Sequence, residues 1–169
     1  LYEEYIIPVA DTYAWVLMKN HFHFLIRIKL WNEIGFQVVK SNRNVDFTSP
    51  KKYNPTQQFS NLFNAYTKGF NNKYNRTGGL LERPFKRICV VDENYFRHLV
   101  FYIHNNPVYH GFCENMSDYP WSSYLSIISV KPTKISREKV IGWFNSKSNF
   151  EIFHKTRQNV DIIKEWTIE

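Results

Sequence analysis

Along residues 12–29, TYAWVLMKNHFHFLIRIK, side chains sort by parity: Ala14, Val16 and Met18 share one face of an extended chain, and Trp15, Leu17 and Lys19 the other. β-Branched and aromatic residues dominate this stretch, which predicts strands over 13–18 and 22–29. From Gln57 the period changes. Phe59, Leu62, Phe63, Tyr66, Phe70 and Tyr74 recur three and four residues apart, the mark of an amphipathic helix that ends before Gly78-Gly79. The opposite face of that helix carries Asn61, Asn64, Lys68, Asn71 and Asn72.

Residues 42–55, with Pro50 and Pro55 among Lys, Ser, Thr and Asn, read as a loop. Arg83 to Val91 is short and β-rich, bounded by Gly-Gly and Asp92, and reads as a strand with a basic mouth. Asp92 reads as the N-cap of a helix with apolar positions Phe96, Leu99, Val100 and Ile103. That helix is expected to be disturbed at Asn106-Pro107, because the residue before a proline is pushed out of the α region. Gly111 closes the following turn, residues 117–129 form an aromatic-rich segment, and 136–157 read as one terminal helix. There is no internal repeat and no linker long enough to divide domains, so the 169 residues are expected to form one domain.

Composition narrows the class. Aromatic residues make up 18% of the chain, far from the profile of a disordered one, and apolar runs break well before the roughly 18 residues of a membrane span. No charged-then-apolar secretory segment opens the sequence, although it starts at Leu1 without Met and is expected to be a fragment. Cys89 and Cys113 are far apart and lack CxxC spacing, which fits a reducing cytoplasm and two small buried side chains. The net charge of +7 is unevenly placed. Residues 51–100 hold nine Lys/Arg against three Asp/Glu, an excess of six, so a polyanionic partner would meet the middle of the chain. A merely solvated basic face gives the same count.

Two clusters can carry chemistry. In His21-Phe22-His23 the imidazoles are two residues apart on a strand, hence on one face, where both can meet one metal ion; hydrogen-bonded structural histidines would show the same spacing. In Tyr102-Ile103-His104-Asn105-Asn106-Pro107, helical spacing points Tyr102 and Asn106 together, beside the core stripe. The plainer reading packs Tyr102 in the core and uses Asn106 as a cap.

Taken together, the stretch Ala14–Ile26 resembles the HUH strand of the REP-associated tyrosine transposases, the single-tyrosine branch of the HUH single-strand DNA transposases. Further matches follow in order: Tyr66-Thr67 with Phe70-Asn71, Arg83-Pro84-Phe85-Lys86, Tyr102 to Gly111, and Asp118-Tyr119-Pro120-Trp121-Ser122-Ser123-Tyr124. The resemblance covers roughly residues 12–125. It implies an α+β, ferredoxin-like antiparallel sheet with helices on one side, the HUH fold, over residues 1–130, with 131–169 as a helical extension of the same domain. It also implies Tyr102 as nucleophile, His21, His23 and Asn106 as ligands of Mg²⁺ or Mn²⁺, and no nucleotide cofactor. Lys19 stands where the family has Pro, and the family's opening strand and helix would lie before Leu1.

The activity implied is cleavage and rejoining of single-stranded, hairpin-forming DNA through a 5′-phosphotyrosine. Lys68, Asn71, Lys73, Arg76, Arg83, Lys86 and Arg87 would hold the DNA, in a prokaryotic cytoplasm or nucleoid, with monomer or homodimer left open. A DNA-binding protein of this fold that has lost catalysis, and an unrelated HxH metal hydrolase, are the competing readings. The hydrolase calls for a further His or carboxylate at ligand spacing.

Overall fold

The computed structural model describes residues 1–39, 49–82, 85–90, 92 and 95–156. It is an α+β protein with small antiparallel sheets, and its chain divides into two compact units. The first comprises residues 1–11 and 27–85, the second 12–26 and 86–169.

In the first unit a short helix α1 (Tyr2–Tyr5) precedes a ribbon of β3 (Phe36–Val39) and β4 (Ser49–Lys52). The ribbon is antiparallel, with Phe36 opposite Lys52 and Val39 opposite Ser49. Residues 49–52, expected as loop, are therefore strand; Pro50 is tolerated because a two-stranded ribbon has only edge strands. Residues 40–48 lie outside the described residues. Helix α2 (Pro55–Tyr74) starts on Asn54, whose side chain accepts the Gln57 N–H, with Pro55 at the first helical position. It stops at Asn75 in the left-handed conformation, three residues before Gly78.

Only the first half of α2 is anchored. Gln58, Phe59 and Leu62 are buried, and Phe59 and Phe63 gather Phe85 between ring centroids 6.1 and 5.1 Å away. Beyond Leu62 no residue of the helix is buried, and Tyr66 and Tyr74 are 49% and 56% exposed. The apolar stripe outruns the core it was expected to cover.

The second unit is built on the hairpin of β1 (Ala10–Leu17) and β2 (Phe22–Ile28), from Thr12 to Ile26. The parity seen in the sequence holds: Ala14, Val16 and Met18 are buried, while Leu17 and Lys19 are exposed. Helix α3 (Phe96–Tyr109) adds Leu99, Val100 and Ile103 to that core, joined by Tyr124, Ile127, Val140, Phe144 and Phe150. The edge of β1 is closed by the Tyr119–Ser123 segment. Leu17 N–H donates to the Trp121 carbonyl, Ser123 N–H to that of Trp15, and the Tyr119 hydroxyl to that of Leu17.

Three expectations are corrected here. Residues 85–90 form no strand: all but Val90 are exposed, and without a partner strand β-propensity has no ladder to join. Cys89 is accordingly exposed and Cys113 half-buried, so neither is a core side chain. Asp92 does not cap α3, which begins at Phe96; its carbonyl instead accepts Tyr95 N–H in a preceding turn.

Pro107 does not end α3 either. The helix runs on to Tyr109 with Pro107 buried inside it, forgoing one hydrogen bond to the Ile103 carbonyl. Gly111 then turns the chain at φ 71°. After α4 (Tyr124–Ile128), the expected terminal helix is two: α5 (Arg137–Trp143) and α6 (Lys147–Lys155). The break is Asn145 at φ 64°, followed by Ser146, whose hydroxyl accepts Asn149 N–H and restarts the helix.

Candidate functional site

Helix α3 presents Tyr102 and Asn106 four residues apart on one stripe, and His110, four residues further, caps its C-terminal end. Facing them in the second unit are the histidines at the start of β2. His21 Nε2 lies 3.3 Å from Asn106 Oδ1, and the His21 and His23 rings are 5.1 Å apart. The His23 ring meets Tyr102 edge to face at 5.5 Å, and His110 meets His21 at 5.7 Å. Tyr102 is partly buried against the core, and Asn106 is 1% exposed. Asn106 is no mere surface cap: its carboxamide is turned inward onto His21.

The donor chemistry of this group suits a cation. His21 Nδ1 is 2.9 Å from Asn20 Oδ1, an acceptor, so a singly protonated ring carries its hydrogen there. Nε2 is then a lone pair facing a second lone-pair atom, Asn106 Oδ1, while Asn106 Nδ2 is buried without a hydrogen-bond partner among the described residues. Two acceptors turned on one another repel, and either a proton on Nε2, donated to Asn106 Oδ1, or a cation between them relieves that repulsion. Asn20 does for His21 what outer-shell acceptors do for metal-binding histidines, fixing tautomer and ring orientation. Two imidazoles and a carbonyl oxygen are a mixed nitrogen and oxygen donor set; imidazole favours the later divalent metals and the carbonyl oxygen Mg²⁺ or Mn²⁺. No cluster of three or more His, Cys, Asp or Glu side chains arranged for a metal occurs among the described residues. Asn20 and His110 were not singled out in the sequence. The i, i+4, i+8 spacing of Tyr102, Asn106 and His110 is the signal that would have found His110.

Behind α3 lies a second polar group, fully buried. His154 Nδ1 is 2.8 Å from the Phe150 carbonyl, which can only accept, so that nitrogen carries the hydrogen. His154 Nε2 must therefore accept from His104 Nδ1–H at 3.0 Å. His104 Nε2 accepts from the Ser123 hydroxyl at 2.8 Å, and Ser123 Oγ accepts Trp15 N–H at 2.9 Å. Every proton in the chain is assigned, and both rings are neutral. Burial pushes His104 well below the usual imidazole range and His154 down to about 4. Ile103, His104 and Leu99 anchor α3 on this side, leaving Tyr102 and Asn106 on the other.

The expected DNA-binding residues fall in both units. Lys68, Lys73 and Arg76 are exposed on and just after α2, where Asn71 Nδ2 donates to the Gly78 carbonyl at 2.8 Å. Lys86 and Arg87 are exposed in the second unit, and Arg83 lies outside the described residues. Among the described residues no helix is long and apolar enough to cross a membrane. No protein-family model, curated protein or solved structure matches the chain.

Proposed function

We propose that this protein cleaves and rejoins single-stranded, hairpin-forming DNA, with Tyr102 as nucleophile, as in the HUH single-tyrosine transposases its sequence resembles. The observation that carries the proposal is the meeting of Tyr102 and Asn106, one helical turn apart on α3, with His21, which immediately precedes β2, and His23 within it. A ferredoxin-like HUH sheet is the fold that goes with this reading.

His21, His23 and the Asn106 carbonyl oxygen would hold the divalent ion. A divalent ion such as Mg²⁺ or Mn²⁺ held by these residues would supply positive charge against a phosphodiester and so relieve the repulsion that protects it from nucleophiles. Tyr102 supplies a phenol that must give up its proton before attack. Its oxygen forms the new bond to phosphorus while the bond from phosphorus to the 3′-oxygen breaks, and that oxygen leaves as a hydroxyl after taking up a proton. The 5′-phosphotyrosine keeps the ester, so a second 3′-hydroxyl can reverse the step and return the phenol.

Incubation with labelled hairpin single-stranded DNA and Mn²⁺ tests the proposal. The expected outcome is a covalent adduct that survives denaturation and is abolished by chelator or by Tyr102→Phe, with binding retained. An adduct persisting in Tyr102→Phe moves the nucleophile to Tyr95 or Tyr109. Binding with no adduct under any metal makes the protein a DNA-binding member of the fold without catalysis.

A further inference from the structure

A core does not explain the distal half of α2. Tyr66, Phe70 and Tyr74 continue the stripe begun by Phe59 and Leu62, yet Tyr66 and Tyr74 are about half exposed and Phe70 only partly covered. The three rings touch in series, Tyr66 to Phe70 at 6.2 Å and Phe70 to Tyr74 at 4.5 Å, each pair tilted by just over 40°. Together they form a ladder about 12 Å long at 1.5 Å of rise per residue.

Cations frame the ladder. Lys73 Nζ lies 5.3 Å from the Tyr74 ring and the Arg76 guanidinium 5.7 Å from Phe70. From Lys51 to Leu81 the sequence has no carboxylate. Exposed aromatic faces beside unopposed cations suit a partner that is flat and apolar in one part and anionic in another. Unpaired nucleotides have that chemistry. A protein partner would have to be both acidic and apolar, and a duplex hides its base faces.

We infer that Tyr66, Phe70 and Tyr74 form a base-stacking ladder for unpaired nucleotides, whose phosphates are met by Lys73 and Arg76. The rings are too close together to sandwich a base between them, so bases lie against the exposed surfaces of Tyr66 and Tyr74, with Lys73, 5.3 Å over the Tyr74 ring, moving aside to a phosphate. This deepens the proposed function by naming what holds the unpaired part of the strand, and it rests on that reading for the choice of DNA over other polyanions.

The test uses the full chain and fluorescence anisotropy with a labelled oligothymidylate, its abasic counterpart and a blunt duplex. Tyr66→Leu with Tyr74→Leu keeps apolar bulk and every positive charge but removes two π faces. Affinity for oligothymidylate should fall by roughly 25-fold or more, taking about fivefold per ring as the low end for loss of an aromatic stacking partner. Affinity for the abasic strand and the duplex should stay within about twofold, and the slope against salt should not change, because the cations that meet the phosphates are all still present. Tyr66→Phe with Tyr74→Phe should bind as the parent does. Both pairs are at half-exposed positions, and equal thermal midpoints would show that the fold is intact; if the Leu pair melts early, Tyr74→Leu alone, in the last turn, should still show the single-ring loss.

Unchanged oligothymidylate binding in the Leu variants overturns the inference. So does a parent that sediments as a dimer and becomes monomeric in the Leu variants, since the face would then be covered by a second copy. Loss of binding with no covalent adduct in the parent leaves the ladder standing and removes the catalytic reading; an adduct with unchanged affinity does the opposite.

Discussion

Replacing Ser123 with alanine removes one oxygen and two hydrogen bonds at a site with 0% exposure. Trp15 N–H loses its acceptor at 2.9 Å, and His104 Nε2 loses its donor at 2.8 Å. Neither group gains access to water in exchange, so each bears its desolvation cost of about 1–3 kcal/mol. The methyl group fills most of the space, so the cavity term is small. Trp15 N–H is only part-buried and sits at the low end, so Ser123→Ala should lower unfolding free energy by about 2–4 kcal/mol, a large share of the roughly 5–15 kcal/mol available to a domain. At a urea slope of about 2 kcal/mol/M, the midpoint should move down by about 1–2 M. Ser129→Ala is the control: Ser129 Oγ accepts Lys131 N–H at 3.1 Å at the surface, where water substitutes, and the change should stay within about 0.5 kcal/mol. A Ser123→Ala midpoint no lower than that of the control would refute the account of the buried chain as a set of obligatory hydrogen bonds.

Other outcomes follow from the same geometry. His154 is held neutral down to about 4 in the native state against about 6.5 when unfolded, so stability is full above pH 6.5 and falls as acid protonates the unfolded chain; urea titrations should show about 1.4 kcal/mol per pH unit from this residue between those values, absent in His154→Asn. Asn145 sits at φ 64°, so Asn145→Ala should destabilise by about 1–2 kcal/mol and Asn145→Gly should be nearly neutral, read from thermal midpoints. Replacing Arg83, Lys86 and Arg87 together with Ala should weaken single-stranded DNA binding and flatten its salt dependence by roughly 0.7 for each phosphate no longer neutralised, with Mn²⁺ affinity unchanged by calorimetry; equal binding at every salt concentration would make these cations a solubility feature only.

How far the fold could be read from the sequence varies with what each prediction relied on. Parity in Ala14, Val16 and Met18 worked because their face of the hairpin is covered along its length, whereas on the other face burial at Tyr13 gives way to exposure at Leu17. The same logic failed for Tyr66 and Tyr74, since a periodic apolar stripe records helical geometry without recording how far the core extends. Ile88 to Val90 had the composition of a strand, but pairing is a property of neighbours and not of the segment. The proline rule marked the hydrogen bond that α3 forgoes at Pro107 but not the packing around buried Pro107 that carries the helix on to Tyr109. Tyr102 with Asn106 and His21 with His23 could each be paired from spacing alone; their meeting across 85 positions of sequence between His21 and Asn106 could not. His104 and His154 left no trace in the periodicity, because a buried polar pair 50 residues apart looks like two isolated histidines.

The break at Asn145 gives the C-terminal helix a bearing on how this chain can be cut. A protein engineer trimming the sequence to its candidate site would see α6 as dispensable, since it packs behind α3, on the side away from Tyr102 and Asn106. Yet the reversal at Asn145 is what carries His154 back to take the His104 proton, and Phe150, at 0% exposure, comes with it. A version ending at Ser146 would leave an imidazole N–H and a deep aromatic socket open on the underside of α3. Such a fragment would be prone to aggregate, and proteases acting on the native protein should find the α5–α6 turn costly to open, however exposed Asn145 itself is.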